Sequence, residues 1–402
     1  MPTLAKHRVI FSIAVAALIV IAGTVAIFWA RGFKPNLQKG TIERTGLIVA
    51  NSTPTGAQVY LDERLTSATD TSIAFLEPKT YKVRIEKEGY TIWQKDIEVK
   101  ADLATEINAL LFPQAPEIKP LTTTGATNPS LSPDGTKIVF AAGGERGGVY
   151  LLPMVDSPFA FRQNTRRLSR NNVRFDYTNA TFIWDPDSKQ VIAQFSLLEN
   201  QPLANLLLDS EQTDQEPRDI TASLAATLNS YQQQIDLRAQ SLNLLAPDEV
   251  KAATKEASVK ASPSPSPKTK LPTAEIPNYP TIPLNYHPNG LIFSPDEEKI
   301  LYRNKEDQLK VYDLKLKQEF TLPEFADFIT ISWFPDSKHL VVAQKDLISI
   351  IESDGFNKMT IYSGKFEDGF VFAHPSGTRM VILTALTQQE GTPANLYSIN
   401  LK

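Results

Sequence analysis

One short motif returns five times along the last two-thirds of the chain, and it dictates what the chain can become. A strand ends, a Pro-Asp or Pro-Ser step follows, and another strand begins. The copies are Leu131-Ser132-Pro133-Asp134-Gly135, Trp184-Asp185-Pro186-Asp187-Ser188, Phe293-Ser294-Pro295-Asp296-Glu297, Trp333-Phe334-Pro335-Asp336-Ser337 and Ala373-His374-Pro375-Ser376-Gly377. Apolar runs such as Lys137-Ile138-Val139-Phe140 flank each one. Proline presets φ, aspartate hydrogen-bonds its own turn backbone, and glycine or serine accepts the tight geometry that follows. Pro133, Asp134, Gly135, Pro186, Asp187, Pro295, Asp296, Pro335, Asp336, Pro375 and Gly377 are therefore expected to be structural turn residues. A ring of aspartate metal ligands is the competing reading. Their recurrence at the same point of every repeat favours turn chemistry.

The prolines fall at 133, 186, 295, 335 and 375, so the last two steps are 40 residues each. Forty residues is the length of a four-stranded propeller blade, and a fixed-period strand repeat means a propeller or solenoid. The fourth copy gives the blade plan: Ile329 to Trp333, His339 to Ala343, Leu347 to Ile351 and Met359 to Tyr362 read as strands. The last copy has only three strands before Lys402, while residues 117–122 stand as an orphan strand ahead of the first copy. These are expected to pair and close the ring, because closure removes exposed strand edges. The motif resembles the blades of TolB-like and WD-repeat propellers, most closely at Asn128 to Gly135. The resemblance implies architecture and leaves function open. A count of five or six blades stays open.

Val9 to Ala30 is an uncharged stretch of 22 residues. As a helix it reaches roughly 33 Å, enough for a hydrocarbon core of about 30 Å. It is longer than the apolar core of a cleaved signal peptide, so residues 9–30 are expected to form a single-pass transmembrane helix behind a tail at 1–8. Basic residues flank both ends (Lys6 and Arg8; Arg31 and Lys34), so their count does not set orientation. The resemblance to TolB-like propellers implies a large C-terminal part outside the cytoplasm. Residues 31–45 are polar and read as a stalk.

Residues 46–112 carry period-two strands, among them Gln58 to Asp62 and Tyr81 to Glu86. With Ser52 to Ala57, Leu76-Glu77-Pro78 and Lys87 to Tyr90, the segment resembles the PEGA domain, a small β-sandwich common in bacterial and archaeal surface proteins. Two departures are Lys79 in place of the usual glycine and an altered turn at Thr66 to Asp70. Tyr60, Tyr90 and Trp93 pose a choice between a sugar-stacking patch and core packing, and aromatics more often pack. The expected fold is thus mainly β: a membrane helix, a PEGA-like sandwich, and a propeller of about five blades over 113–402.

An insertion over 222–285 interrupts the repeats. Leu224, Leu228, Tyr231, Ile235, Leu242 and Leu245 recur at helical spacing, predicting an amphipathic helix over 222–245. A second, weaker helix can start at Pro247-Asp248-Glu249. Residues 250–275, rich in Ala, Ser, Pro and Lys, are expected to be disordered. The insertion reads either as a tolerated loop or as an arm whose helix docks a partner.

The 41 basic and 45 acidic residues give a formal charge of -4, without the basic stripe of a nucleic-acid binder. Cysteine is absent, and His7, His287, His339 and His374 show no metal-binding spacing. No nucleophile elbow, Walker loop or dinucleotide fingerprint occurs. Gly143 to Gly148 lies in a hairpin with no helix after it, and His374 sits beside a turn proline. No catalytic, cofactor or metal site is therefore expected. The reading is a non-catalytic, membrane-anchored cell-envelope protein offering its propeller to a protein or cell-wall polymer. The alternatives are an envelope-complex subunit docking through the 222–245 helix, and a lectin-like wall receptor.

Overall fold

The computed structural model describes residues 3–30, 33–36, 41–154, 165–195, 204–260, 284, 290–367, 370–386 and 393–402. They fall into two compact units, Met1–Ala115 and Pro116–Lys402.

The first unit opens with helix α1 (Thr3–Ala30), which contains the uncharged stretch. Its described side chains, Phe11 and those at 13–27, are all exposed. Among the described residues no helix is long and apolar enough to cross a membrane. The segment expected as a stalk holds an antiparallel pair, β1 (Phe33–Asn36) with β2 (Thr41–Arg44).

Seven strands then build a sandwich: β3 (Gly46–Thr53), β4 (Gln58–Leu61), β5 (Arg64–Ala68), β6 (Thr71–Leu76), β7 (Thr80–Glu86), β8 (Trp93–Glu98) and β9 (Ala104–Leu110). They form two sheets, ordered β6-β3-β9 and β5-β4-β7-β8. The alternation in β3 and β7 turns Ile48, Ala50, Val83 and Ile85 into one shared core with Val59, Trp93 and Ile107. Strands β3 and β9 pair in parallel.

The second unit begins with β10 (Ile118–Pro120). Sheet 1 is β11 (Thr127–Leu131), β12 (Lys137–Ala142), β13 (Gly148–Pro153) and β14 (Arg166–Arg170). Sheet 2 is β15 (Ala180–Trp184), β16 (Gln190–Phe195), β17 (Ala204–Asp209) and β18 (Arg218–Asp219). Helices α2 (Leu224–Asn243) and α3 (Asp248–Lys260) follow. Sheet 3 is β19 (Ile292–Phe293), β20 (Lys299–Arg303), β21 (Leu309–Asp313) and β22 (Gln318–Thr321). Sheet 4 is β23 (Phe328–Trp333), β24 (His339–Gln344), β25 (Leu347–Glu352) and β26 (Met359–Ser363). Sheet 5 holds β27 (Val371–Ala373), β28 (Arg379–Thr384) and β29 (Asn395–Asn400), and takes its fourth strand from β10 in the order β10-β29-β28-β27. The pairing expected of 117–122 is present, with Ile118 opposite Ile399 and Pro120 opposite Tyr397.

The second strand of each sheet is buried on both faces. Strand β24 is buried throughout and β12 almost so, because sheets 1 to 5 are covered by neighbouring sheets or, at sheets 2 and 3, also by the helices. That is why these strands read as continuous apolar runs rather than alternating ones. Separate cores join sheets 1 and 2, sheets 3 and 4, and sheets 5 and 1.

The insertion departs from expectation in two ways. The first half of the apolar stripe of α2 is covered by its own unit: Leu224, Leu228 and Tyr231 pack on Ile192 and Leu207 of sheet 2 and on Ile220 just after it. Disorder from residue 250 is also corrected, since α3 runs to Lys260. Its Ala-rich sequence favours helix, Asp248 and Glu249 suit its first turn, and Val250 is buried with Ala246 against Leu291, Ile300 and Tyr302 of sheet 3. The disorder expected for 261–275 lies outside the described residues. The helices thus pack on sheet 2 at one end and sheet 3 at the other.

Candidate functional site: a cavity among the repeat turns

All five motif turns close in the same way. The N–H of Gly135, Ser188, Glu297, Ser337 or Gly377 donates to the carbonyl three residues before it, at 2.7 to 3.1 Å. That donor residue has φ between 59° and 72° in every copy. This is a three-residue hairpin loop, a β-turn followed by one left-handed residue. Glu297, Ser188 and Ser337 carry the left-handed geometry without glycine.

The aspartates serve these turns unequally. Asp134 Oδ1 accepts the Ser132 hydroxyl at 2.6 Å and the Thr136 N–H at 3.0 Å. Asp296 repeats this with Ser294 at 2.6 Å and the Glu298 N–H at 3.1 Å. Asp336 accepts the backbone N–H groups of Lys338 and His339 and meets His339 Nδ1 at 2.6 Å. In the fifth copy Ser376 stands in for aspartate and bonds His374 Nδ1 at 2.8 Å, so His374 is a turn residue. The second copy differs. Asp185, in the place of Ser132, accepts the Lys189 and Gln190 N–H groups at 2.8 Å. A carboxylate cannot donate as Ser132 does, and among the described residues Asp187 accepts no hydrogen bond. Asp187 is exposed.

These contacts support turn chemistry for Asp134, Asp296 and Asp336, and they have a pH consequence. Burial works to raise all three carboxyls, but the hydrogen bonds outweigh it and hold each below its ordinary range. A depressed carboxyl contributes stability that is present above its unfolded value, near 3.9, and lost as pH falls through the folded value. The double variant Asp134→Asn/Asp296→Asn is expected to lose about 1 kcal/mol per turn at pH 7, a figure discounted for exposure. It should also lose less stability than the parent between pH 4 and pH 2.5. Urea unfolding at those three pH values checks both.

The turns also link neighbouring sheets, through a signal that the motif reading passed over. The Trp184 indole donates to Ser130 O at 3.2 Å, and Trp333 donates to Ile292 O at 2.9 Å. The Asp134 N–H donates to Ser188 Oγ and the Asp296 N–H to Ser337 Oγ, both at 3.1 Å. Sheets 1 and 2 are therefore joined as sheets 3 and 4 are. The tryptophan before and the serine after Pro-Asp in copies two and four carry that join.

The turns of sheets 1, 2 and 3 converge on a cavity of about 1090 Å³. Pro133, Asp134, Pro186, Asp187, Pro295 and Glu297 contribute to it, so six expected or neighbouring turn residues come together there. Pro335, Asp336, Pro375 and Gly377 are not among its lining residues. Phe293, Phe370 and Phe372 add aromatic wall, and Phe370 meets Phe372 edge-on with centroids 4.6 Å apart. Helix α2 supplies Gln234, Ile235, Arg238 and Leu242. Arg238 pairs with Glu297, tying α2 to the sheet 3 turn. On the sheet 2 side, burial and the nearby Asp185 push the Tyr231 hydroxyl up to about 12. No sequence signal placed α2 on this cavity.

In the sandwich, the three aromatics do not share an exposed face. Trp93 is core at 3% exposure, Tyr90 packs against that core, and Tyr60 lies under the Arg84 guanidinium at 3.9 Å.

Residues 45–114 match the PEGA domain. No curated protein matches the chain. Among solved structures, the putative TolB from Agrobacterium tumefaciens is 13% identical, with 72% of this chain and 79% of that one covered and a TM-score of 0.24. TolB from Acinetobacter baumannii is 11% identical, with 86% and 64% covered and a TM-score of 0.23. An oligogalacturonate lyase in complex with manganese is 9% identical, with 90% and 98% covered and a TM-score of 0.28. At these scores the likenesses carry no argument about activity.

Proposed function

We propose that this protein is a non-catalytic, membrane-anchored scaffold of the cell envelope, which holds a protein or wall-polymer ligand in the cavity among its repeat turns. The observation that carries the reading is the cavity itself. Loops from several repeats converge on it, as binding sites on rigid scaffolds do. The five sheets are taken to close into a propeller, with the β10–β29 pairing as the seal and α2 with α3 filling the place between sheets 2 and 3.

Support for the anchor comes from α1. Its described apolar side chains are exposed all round, including Leu18 at 67%, Ile19 at 63% and Val20 at 67%. A helix without a polar face needs a protein core or a bilayer around it. The sandwich then serves as a spacer or wall-contact module, with both units outside the cytoplasm.

A photo-crosslinking amino acid at Gln234, on the full chain in native membranes, tests the reading. A discrete adduct that disappears with Ala239→Trp, which fills the cavity from another lining position, is the expected result. No adduct at Gln234 or at a second probe position, Phe372, would overturn it. Extraction of the full chain from membranes by alkaline carbonate would overturn the anchor separately.

A further inference from the structure

Taking the cavity as the binding site, we infer that it accepts an extended polypeptide segment carrying a lysine or arginine among apolar side chains. Four observations on the lining lead there.

Asp187 is the first. In copies one, three and four the Pro-Asp carboxylate is consumed by its own turn, whereas copy two passes that work to Asp185. Turn chemistry explains the other aspartates and leaves this one facing the cavity with its acceptor capacity unused by the fold. The second is its neighbour. The Asp134 N–H bonds Ser188, so the turns bearing Asp134 and Asp187 are locked together and present two carboxylates on one wall.

Third, nothing on the lining compensates this charge. Asp134, Asp187 and Glu297 face one cation, Arg238, and that cation is engaged by Glu297. A ligand carboxylate would meet net repulsion and a ligand ammonium or guanidinium net attraction. Fourth, Phe293, Phe370 and Phe372 are half-buried and line the same space. Aromatic faces attract a cation and cover the aliphatic stem of lysine or arginine. The volume lies just above the roughly 300–1,000 Å³ typical of small-molecule sites, which suits a chain segment better than an isolated cation.

The test uses the full chain in phosphatidylcholine nanodiscs and fluorescein-labelled ten-residue peptides of alternating Leu-Lys, Leu-Glu or Leu-Ser. Empty nanodiscs serve as the blank and anisotropy as the readout. The Leu-Lys peptide is expected to bind at least tenfold more tightly than Leu-Glu. Asp187→Asn should weaken it by about three- to fivefold, the worth of one partly solvated charge pair. Asp346→Asn, an equally exposed carboxylate on the β24–β25 turn, should leave it unchanged. Spermidine at matched charge should compete poorly. Equal binding of Leu-Glu, or indifference to Asp187→Asn, would overturn the inference. Full competition by spermidine would overturn its polypeptide part. A Gln234 adduct combined with no preference for Leu-Lys would leave the cavity as the binding site while refuting this ligand class.

Discussion

Deleting residues 117–122 is expected to abolish cooperative folding of the second unit. The segment is short, but its bonds are concentrated. Beyond the β10–β29 register, Leu121 N–H donates to Leu396 O at 2.8 Å and Asn400 N–H donates to Glu117 O at 2.9 Å. The Leu396 N–H donates to Thr122 Oγ1 at 3.0 Å. The Thr122 hydroxyl in turn donates to Asn395 Oδ1 at 3.0 Å. With intramolecular hydrogen bonds worth about 1 kcal/mol each, the loss approaches the total stability of an ordinary domain, about 5–15 kcal/mol. The deletion would also bare the edge of β29, inviting pairing with another chain. The thermal transition by circular dichroism should vanish or broaden, and size-exclusion chromatography should show aggregates. The milder Asn395→Ala, which removes the acceptor for Thr122 and for the Gly125 N–H, should cost about 1–3 kcal/mol as a buried partner left unsatisfied. An unchanged transition in the deletion would mean that the seal contributes nothing.

That seal was legible in the sequence because it is a counting argument. Three strands in the fifth repeat and one spare strand ahead of the first repeat make four. The blade strands were legible for the same reason, since β-branched runs between Pro-Asp turns fix strand, turn and register together. Period-two alternation likewise placed Val83, Ile85 and Ile48 in the sandwich core. What escaped was whatever depends on a partner distant in sequence. The pairing of β3 with β9 joins residues more than fifty positions apart, and no local pattern announces it. The Trp184 and Trp333 indole bonds cross from one sheet to the next, although the tryptophans stood in plain view before the turns. Asp187 looked like every other turn aspartate until the bonds of Asp185 were known. Residues 250–260 read as disordered because they are poor in large apolar side chains, yet Val250 and Ala246 are enough to seat α3 on Tyr302 and Ile300. Composition measures what a segment brings to a core and misses what the rest of the fold offers it.

The same limit governs α2, whose stripe predicts a helix without saying what covers it. Leu228 is fully buried against sheet 2, while Leu237 on the same helix is 66% exposed. If α2 is an integral part of the unit, Leu228→Ala should cost about 2–5 kcal/mol, as large-to-small core changes do. Leu228→Asp should cost more, because an unpaired carboxylate would be buried. Leu237→Asp should shift stability by less than about 0.5 kcal/mol, the usual range for surface changes. Denaturant unfolding of the three variants checks the contrast. A detachable docking arm predicts the reverse pattern, in which all three leave the unfolding transition alone. Loss of α2 from sheet 2 would also remove the wall that carries Ile235, Arg238 and Leu242, so Leu228→Asp should abolish the Gln234 photo-adduct even in whatever fraction remains folded. Retention of that adduct beside a collapsed melting transition would show that the cavity does not need the helix to be seated.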